Sequence, residues 1–399
     1  MDLLRGFLTI TCLFAASLAP AASLADEPPP AVKAFLANVE RQSRAKPSYD
    51  ALTVDSSGAV TITNFAVRSP PVNDVPTVDF TIAEIRLANI TALSPTLWEV
   101  NSASFTNTSW KFSANDNPIT VDMPSASAEG LYIHGLEADA TPQDKYLADS
   151  TLLARKLTSG PVAIGISGQK LTIDSMQSVF DGDPKTGSGR FGFTLDRLKV
   201  PAEAMALLDQ TGMLRQLGYS SLQFDMASDG NMTLADGNMS LDGSVTLKGQ
   251  DIGNIVLSGA AAGVPMAMMQ AEASGQTQTP EEMAAQMKSL TISDLAVRFE
   301  DASITGKILP LIAAAQGMDE KTLVAGIPAM LQMSLMQLQN EAFSTQVADA
   351  VSRFLADPRS ITLKLAPAKP LTMEDFNSMD PAKPGEAITR LGVSVTANN

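Results

Sequence analysis

The stretch SLQFDMASDGNMTLADGNMSLDGSVTLKG, residues Ser221–Gly249, decides the fold class. Leu222, Phe224 and Met226 alternate with other residues, Met232 and Leu234 do the same, and Leu241, Val245 and Leu247 follow. A period of two places one set of side chains on one face of a pleated strand. Two polar clusters punctuate the alternation, Ser228-Asp229-Gly230-Asn231 and Asp236-Gly237-Asn238. Each reads as a tight turn, because Asp-Gly and Asn supply the positive φ that such turns demand. The pattern continues through Gly249 to Ile255, Val256 and Leu257, so the segment to Ala261 reads as an antiparallel meander. Parallel pairing needs crossovers of about a dozen residues or more, which turns this short exclude.

The same alternation extends towards the N-terminus. Val60–Val67 follows a turn signal at Ser56-Ser57-Gly58, and Val78–Ile90 alternates through Val78, Phe80 and Ile82. Trp98–Val100, Ser104–Phe112, Ile119–Met123 and Gly130–Leu136 read as short strands broken by Asn, Pro and Ser clusters. Before them, Val32, Phe35, Leu36 and Val39 recur at helical spacing, which predicts an amphipathic helix from Ala31 to Lys46 that Pro47 ends.

Helical spacing returns at Pro201–Gly218 and in Gly306–Ala356. In the second stretch Met318 or Asp319 starts a helix after Gly317, and Ala325-Gly326 and Pro328 interrupt it. Ala329–Leu338 resumes it, and Phe343, Val347, Val351, Phe354 and Leu355 form a last face before Asp357-Pro358. Two short strands, Ile361–Leu365 and Val393–Thr396, frame a Pro-rich tail. The expected fold is α+β: a predominantly antiparallel, extended twisted meander with a helical C-terminal region packed against it. The expected divisions are a signal peptide over 1–25, an N-terminal helix over 26–47 and a strand-rich region over 48–200. A helix plus β-meander over 201–305 and a helical region with two closing strands over 306–399 complete them.

The first residues predict export. Arg5 precedes an apolar run from Gly6 to Ala22, broken by Pro20, that closes on Ser23-Leu24-Ala25. Small residues at the −3 and −1 positions are what a signal peptidase admits, so cleavage after Ala25 and a periplasmic location are expected. Cys12 leaves with the leader, and a mature chain of this size needs no disulfide. The leader carries one acid and one base, so the net charge stays at −15 on its removal. That charge disfavours nucleic acid. No later apolar stretch reaches the ~20 residues of a transmembrane helix.

Three segments echo one another: Val60–Arg68 (VTITNFAVR), Leu171–Met176 (LTIDSM) and Leu290–Arg298 (LTISDLAVR). Either Leu-Thr-Ile is simply a common way to write a strand, or one strand-rich unit recurs along an extended sheet. The signal peptide, Leu217–Asp225 (LGYSSLQFD), the strand from Leu290 leading into an Ala-rich helix up to Gln316, Phe354–Lys364 (FLADPRSITLK) and Pro367–Pro370 carry a further likeness. On these the chain resembles the strand-rich envelope proteins of Gram-negative bacteria in the AsmA-like and YdgA-like neighbourhood, over roughly its C-terminal half. The resemblance implies an envelope role and a long β-groove that shelters lipid tails, and it supplies no catalytic residue.

Catalytic equipment is not legible. His134, the single histidine, lacks a Cys or Ser partner or further metal ligands and reads as structural. Gly187–Gly192 (GSGRFG) has the letters of a dinucleotide loop but runs into a strand pattern, where that chemistry needs a helix N-terminus. Ser167 reads as a turn residue, and Asp181-Gly182-Asp183 lacks the later oxygen ligands of a calcium loop. No catalytic residue, metal site or cofactor is therefore expected. Met330, Met333 and Met336 fall at a spacing of three and are the candidate ligand-binding residues, with core packing as their ordinary alternative. The expected function is a non-catalytic periplasmic protein binding a lipid chain or an envelope partner. The alternatives are a ligand-free scaffold or adhesive module and a hydrolase that uses only carboxylates.

Overall fold

The computed structural model describes residues 27–69, 78–114, 117–150, 153–268 and 279–399. The expected leader and its expected cleavage after Ala25 lie outside these residues. The fold is α+β, built on antiparallel strands with helices concentrated in the C-terminal half. The chain divides into two compact units. One is Met1–Val200 with Met232–Gly237 and Met266–Thr279; the other is Pro201–Asn231, Asn238–Pro265 and Pro280–Asn399.

In the first unit helix α1 spans Pro30–Ser43 and ends on Arg44 at φ 55°. Proline suits its first turn, where the missing N–H would have had no partner. Strands β1 (Ala51–Val54), β2 (Val60–Arg68), β3 (Asp79–Ser94), β4 (Leu97–Ala114) and β5 (Asn117–His134) pair in succession, all antiparallel. After helix α2 (Pro142–Asp149), β6 (Ala154–Ser159) and β7 (Val162–Ile166) both pair with β5, and β8 (Gln169–Ile173) pairs with β7. Strand β9 (Ser175–Asp183) joins β6 to β10 (Ser188–Val200). Val32, Phe35 and Val39 of α1 share one core with Ile62, Phe65, Phe80, Ile85 and Val100. Phe65 centres an aromatic row, 6.2 Å from Phe35 and 6.5 Å from Phe80 between ring centroids.

The four short strands expected between Trp98 and Leu136 are two strands of 18 residues each. Asn107 lies inside β4 with φ 51°, and Asn64, Asn89 and Gly130 adopt 49°, 54° and 60° inside β2, β3 and β5. One left-handed residue inverts the pleat without ending the strand. Hence the buried residues run Val60, Ile62, then Phe65, Val67 about Asn64 in β2, and β3 keeps step with Phe80, Ile82, then Ile85, Leu87 about Ala83, which falls level with Asn64 and Asn107. Pairing keeps step across the inversion, since Thr63 opposes Glu84 and Phe65 opposes Ile82, while Thr106 opposes Ser125 and Thr108 opposes Met123. The result is a crease across neighbouring strands that turns residues on both sides of it into one core. Asn107 is exposed, so only its backbone matters: Asn107→Ala is expected to cost about 1–2 kcal/mol, the penalty of a left-handed conformation for a residue with a Cβ, and Asn107→Gly to be nearly neutral. Urea unfolding of the two variants checks this.

The second unit corrects three further expectations. Pro201–Gly218 is not one helix but a 3₁₀ run, Ala202–Leu207, and a single turn, Met213–Gln216, parted by Gly212 at φ 72°. Buried Asp209 accepts the N–H groups of Leu214 and Arg215 at 3.0 Å and so caps a new turn where a continuous helix would have passed. Strand β11 (Leu222–Ala235) runs through Ser228–Asn231 without turning. Gly230 serves close backbone approach there, since a Cβ on Gly243 would lie 2.8 Å from the Gly230 Cα. The second expected turn does form, with Asp236 and Gly237 at φ 51° and 74° leading into β12 (Asn238–Gly249).

Strands β13 (Gly253–Pro265), β14 (Thr291–Asp301), β15 (Ser360–Leu365), β16 (Leu371–Thr372) and β17 (Val393–Ala397) complete the unit. Between β14 and β15 lie α3 (Ile304–Ala315), α4 (Glu320–Leu335) and α5 (Glu341–Ala356). Asp319 caps α4 by accepting the Thr322 N–H at 2.9 Å. The helix then continues through Gly326 and Pro328 instead of stopping. Leu323, Val324 and Ile327 pack with Leu309 and Ala313 of α3 and Leu355 of α5, and this burial offsets the ~3 kcal/mol cost of an internal proline. The Pro-rich tail holds helical turns at Met373–Asn377 and Pro384–Leu391.

Candidate functional site: an open apolar sheet face

Strands β12, β13, β14, β15 and β17 pair in that order. Their register aligns Leu247, Ile255, Phe299 and Ile361 in one cross-strand row and Val245, Leu257, Val297, Leu363 and Val395 in the next. A third row continues the face as Gly243, Gly259, Leu295 and Leu365. The opposite face carries Thr246, Val256, Arg298, Thr362 and Thr396, with Lys248, Asn254, Glu300 and Ser360 beside them. Alternation has thus produced one apolar and one mainly polar face.

Ordinarily the apolar face is the covered one. Here α5 covers only one end of it, where Ala350 and Phe354 pack with Phe299, Ile361, Val395 and Ala397, the Phe354 ring meeting that of Phe299 edge-on at 6.3 Å. The remainder is open: Val245, Leu247, Ile255, Leu257, Leu295, Val297 and Leu363 are 36–44% exposed. Thr246, Val256, Arg298 and Thr362 on the other face are less so. These seven side chains amount to about 500 Å² of contiguous apolar surface, within the roughly 300–600 Å² of the largest patch on a typical monomer, which is often functional.

The internal echo sharpens the contrast. Ile62, Phe65 and Val67 in the first segment correspond in sequence to Ile292, Leu295 and Val297 in the third; β2 keeps step with β3 between the first two of its trio, whereas β14 carries a one-sided bulge there. The first trio is at most 1% exposed beside α1, while Leu295 and Val297 are 36% and 37% exposed. The middle copy departs from the pattern, because its strand ends at Ile173 before Asp174.

The residues singled out from the sequence fall elsewhere. Met330, Met333 and Met336 are 67%, 70% and 70% exposed, off the inner side of α4 that Leu323, Val324 and Ile327 form, so core packing does not account for them. Ser167 and Gly168, at φ 49° and 81°, make the hairpin between β7 and β8. Gly187, at φ 71°, turns the chain into β10, a strand where a dinucleotide loop needs a helix. Asp183 accepts the Lys185 N–H at 2.9 Å within its own turn. Among the described residues no group of three His, Cys, Asp or Glu is placed to hold a metal ion, and no helix is long and apolar enough to cross a membrane.

His134 is buried at the end of β5. Its Nε2–H donates to the Pro184 carbonyl at 2.7 Å, its own carbonyl accepts from Asn38 of α1 at 2.7 Å, and Nδ1 has no hydrogen-bond partner among the described residues. Burial pushes the imidazole pKa below its ordinary 6.5, against the opposing influences of the Pro184 carbonyl and Asp144. The folded state therefore prefers neutral His134. The stability this contributes is full above the unfolded value and is lost as pH falls from there through the lowered folded value, with a slope of at most about 1.4 kcal/mol per pH unit. His134→Gln is expected to flatten that part of a stability profile measured by urea unfolding between pH 7.5 and 4.5.

A family model described as an uncharacterized protein matches residues 246–398. The matched stretch takes in β13, β14, α3 to α5 and the closing strands, and with them every open aliphatic residue named above except Val245. A search of curated proteins found no match.

Proposed function

We propose that the protein is a non-catalytic periplasmic envelope protein that holds a lipid chain against the open face of β12 to β15. The observation that carries this reading is the contiguous exposure of seven aliphatic side chains on the face of a sheet that should be covered. Their chemistry favours a lipid. Protein interfaces are anchored by Trp, Tyr and Arg and bury ~800 Å² on each partner, whereas the open part of this face is wholly aliphatic and smaller. The resemblance to AsmA-like envelope proteins and the leader ending at Ala25 support the location.

The expected binding is reversible. A fully buried methylene contributes about 0.8 kcal/mol, and an open face removes only about half of a chain from water. Ten methylenes then give roughly 4 kcal/mol, a millimolar Kd suited to exchange rather than storage. A photoactivatable benzophenone side chain at Leu257 or Val297, in cells with labelled lipids, tests the reading. Crosslinks to acyl chains are expected there and not from Thr246 on the opposite face. Crosslinks to protein alone would replace the lipid by a docking partner, the second reading, which the openness of the face favours.

A further inference from the structure

The exposed methionines have no part in that face, and their placement asks for its own account. From Thr322 to Asn340 the chain carries no charged side chain, and this stretch presents Met330, Met333 and Met336 at two-thirds exposure or more. Such exposure is unusual for three apolar side chains on one helix, and the packing of α4 is complete without them. Residues three apart on a helix are neighbours, about 5–6 Å between Cβ atoms, so Met333 adjoins both of the others. Met336 begins the 3₁₀ turn Met336–Leu338, where residues three apart lie almost directly above one another. Each side chain has three rotatable bonds, enough for neighbouring sulfurs to reach a common ion.

A thioether is a neutral, soft donor with no proton to lose near pH 7. It binds Cu(I) and leaves hard cations such as Mg²⁺ and Ca²⁺ to oxygen ligands. Competition from stronger soft donors is slight, since Cys12 belongs to the expected leader and His134 is buried, and the other strongly exposed methionines among the described residues, Met213, Met283 and Met318, stand apart from one another in the chain. The net charge of −15 raises the local concentration of any cation. We infer that Met330, Met333 and Met336 form a surface site for a soft monovalent cation, Cu(I) in the cell, held by two thioethers at a time, that of Met333 and that of either neighbour. The site is independent of lipid binding, and either proposal can fail without the other.

Silver(I), a redox-inert probe of the same softness, tests it on the full chain. Titrated into protein carrying ¹³C-methyl methionine, one equivalent is expected to shift the methyl signals of these three residues before those of the other methionines. Cu(I) titrated anaerobically against bicinchoninate should give one competing site. The variant Met330→Leu/Met333→Leu/Met336→Leu keeps length, apolarity and helix propensity while removing the sulfurs. It should bind at least tenfold more weakly, with unchanged melting and unchanged lipid crosslinking. Met333→Leu alone should cost more than Met330→Leu or Met336→Leu. Equal affinity in the triple variant, or no competition with bicinchoninate, overturns the inference.

Discussion

Phe65→Ala is expected to lower stability by about 3–5 kcal/mol, whereas Leu295→Ala, at the equivalent place in the third echo, should cost about 1 kcal/mol or less. The two residues occupy the same position in nine-residue segments that share five residues, and they differ in what lies over them. Phe65 is fully buried between Phe35 of α1 and Phe80, so truncation removes an aromatic ring and leaves a cavity. Leu295 is already 36% exposed, so truncation forfeits a partial transfer energy and opens no void. A domain stable by 5–15 kcal/mol loses a large share of its stability to the first change and little to the second. Urea unfolding of both variants measures the difference, and equal shifts would mean that the face around Leu295 is covered after all.

The second large effect concerns binding. Leu257 and Val297 are directly paired across β13 and β14, both on the open face. Replacing both by asparagine should reduce acyl-chain capture at least tenfold, because two of the seven aliphatic contacts become polar and each lost ~1.4 kcal/mol is a factor of ten. The melting temperature should change little, since both side chains are 37–44% exposed in the folded protein. Thr246→Asn, on the opposite face, should leave capture intact. Loss of capture with Thr246→Asn as well would point to a general change in the sheet, and undiminished capture in the double variant would place the ligand elsewhere.

Much of the architecture is local chemistry and could be read in advance. The helical spacing of Val32, Phe35 and Val39, the Asp236-Gly237 turn, the Asp319 cap and the closing strands all depend on residues within a few positions of one another. Where local preference is permissive rather than compelling, the sequence misleads. Asn101 and Asp229-Gly230 tolerate turn conformations, but β4 and β11 pass straight through them because neighbouring strands continue the pairing or the approach on both sides. Pro328 discourages a helix, yet α4 persists because its apolar side is buried by elements distant in sequence.

The sequence by itself determined that the protein is an antiparallel α+β structure, that its sheet in the second unit has one apolar face, and that three methionines stand in a row. Alternation and spacing carry that information, since they follow from the pitch of strand and helix. Only the tertiary structure decided that α1 covers the apolar strands of the first unit, that α5 covers only the end of the second sheet, and that Met330, Met333 and Met336 face outward. Periodicity states which residues seek cover, while whether cover arrives depends on where distant helices come to rest.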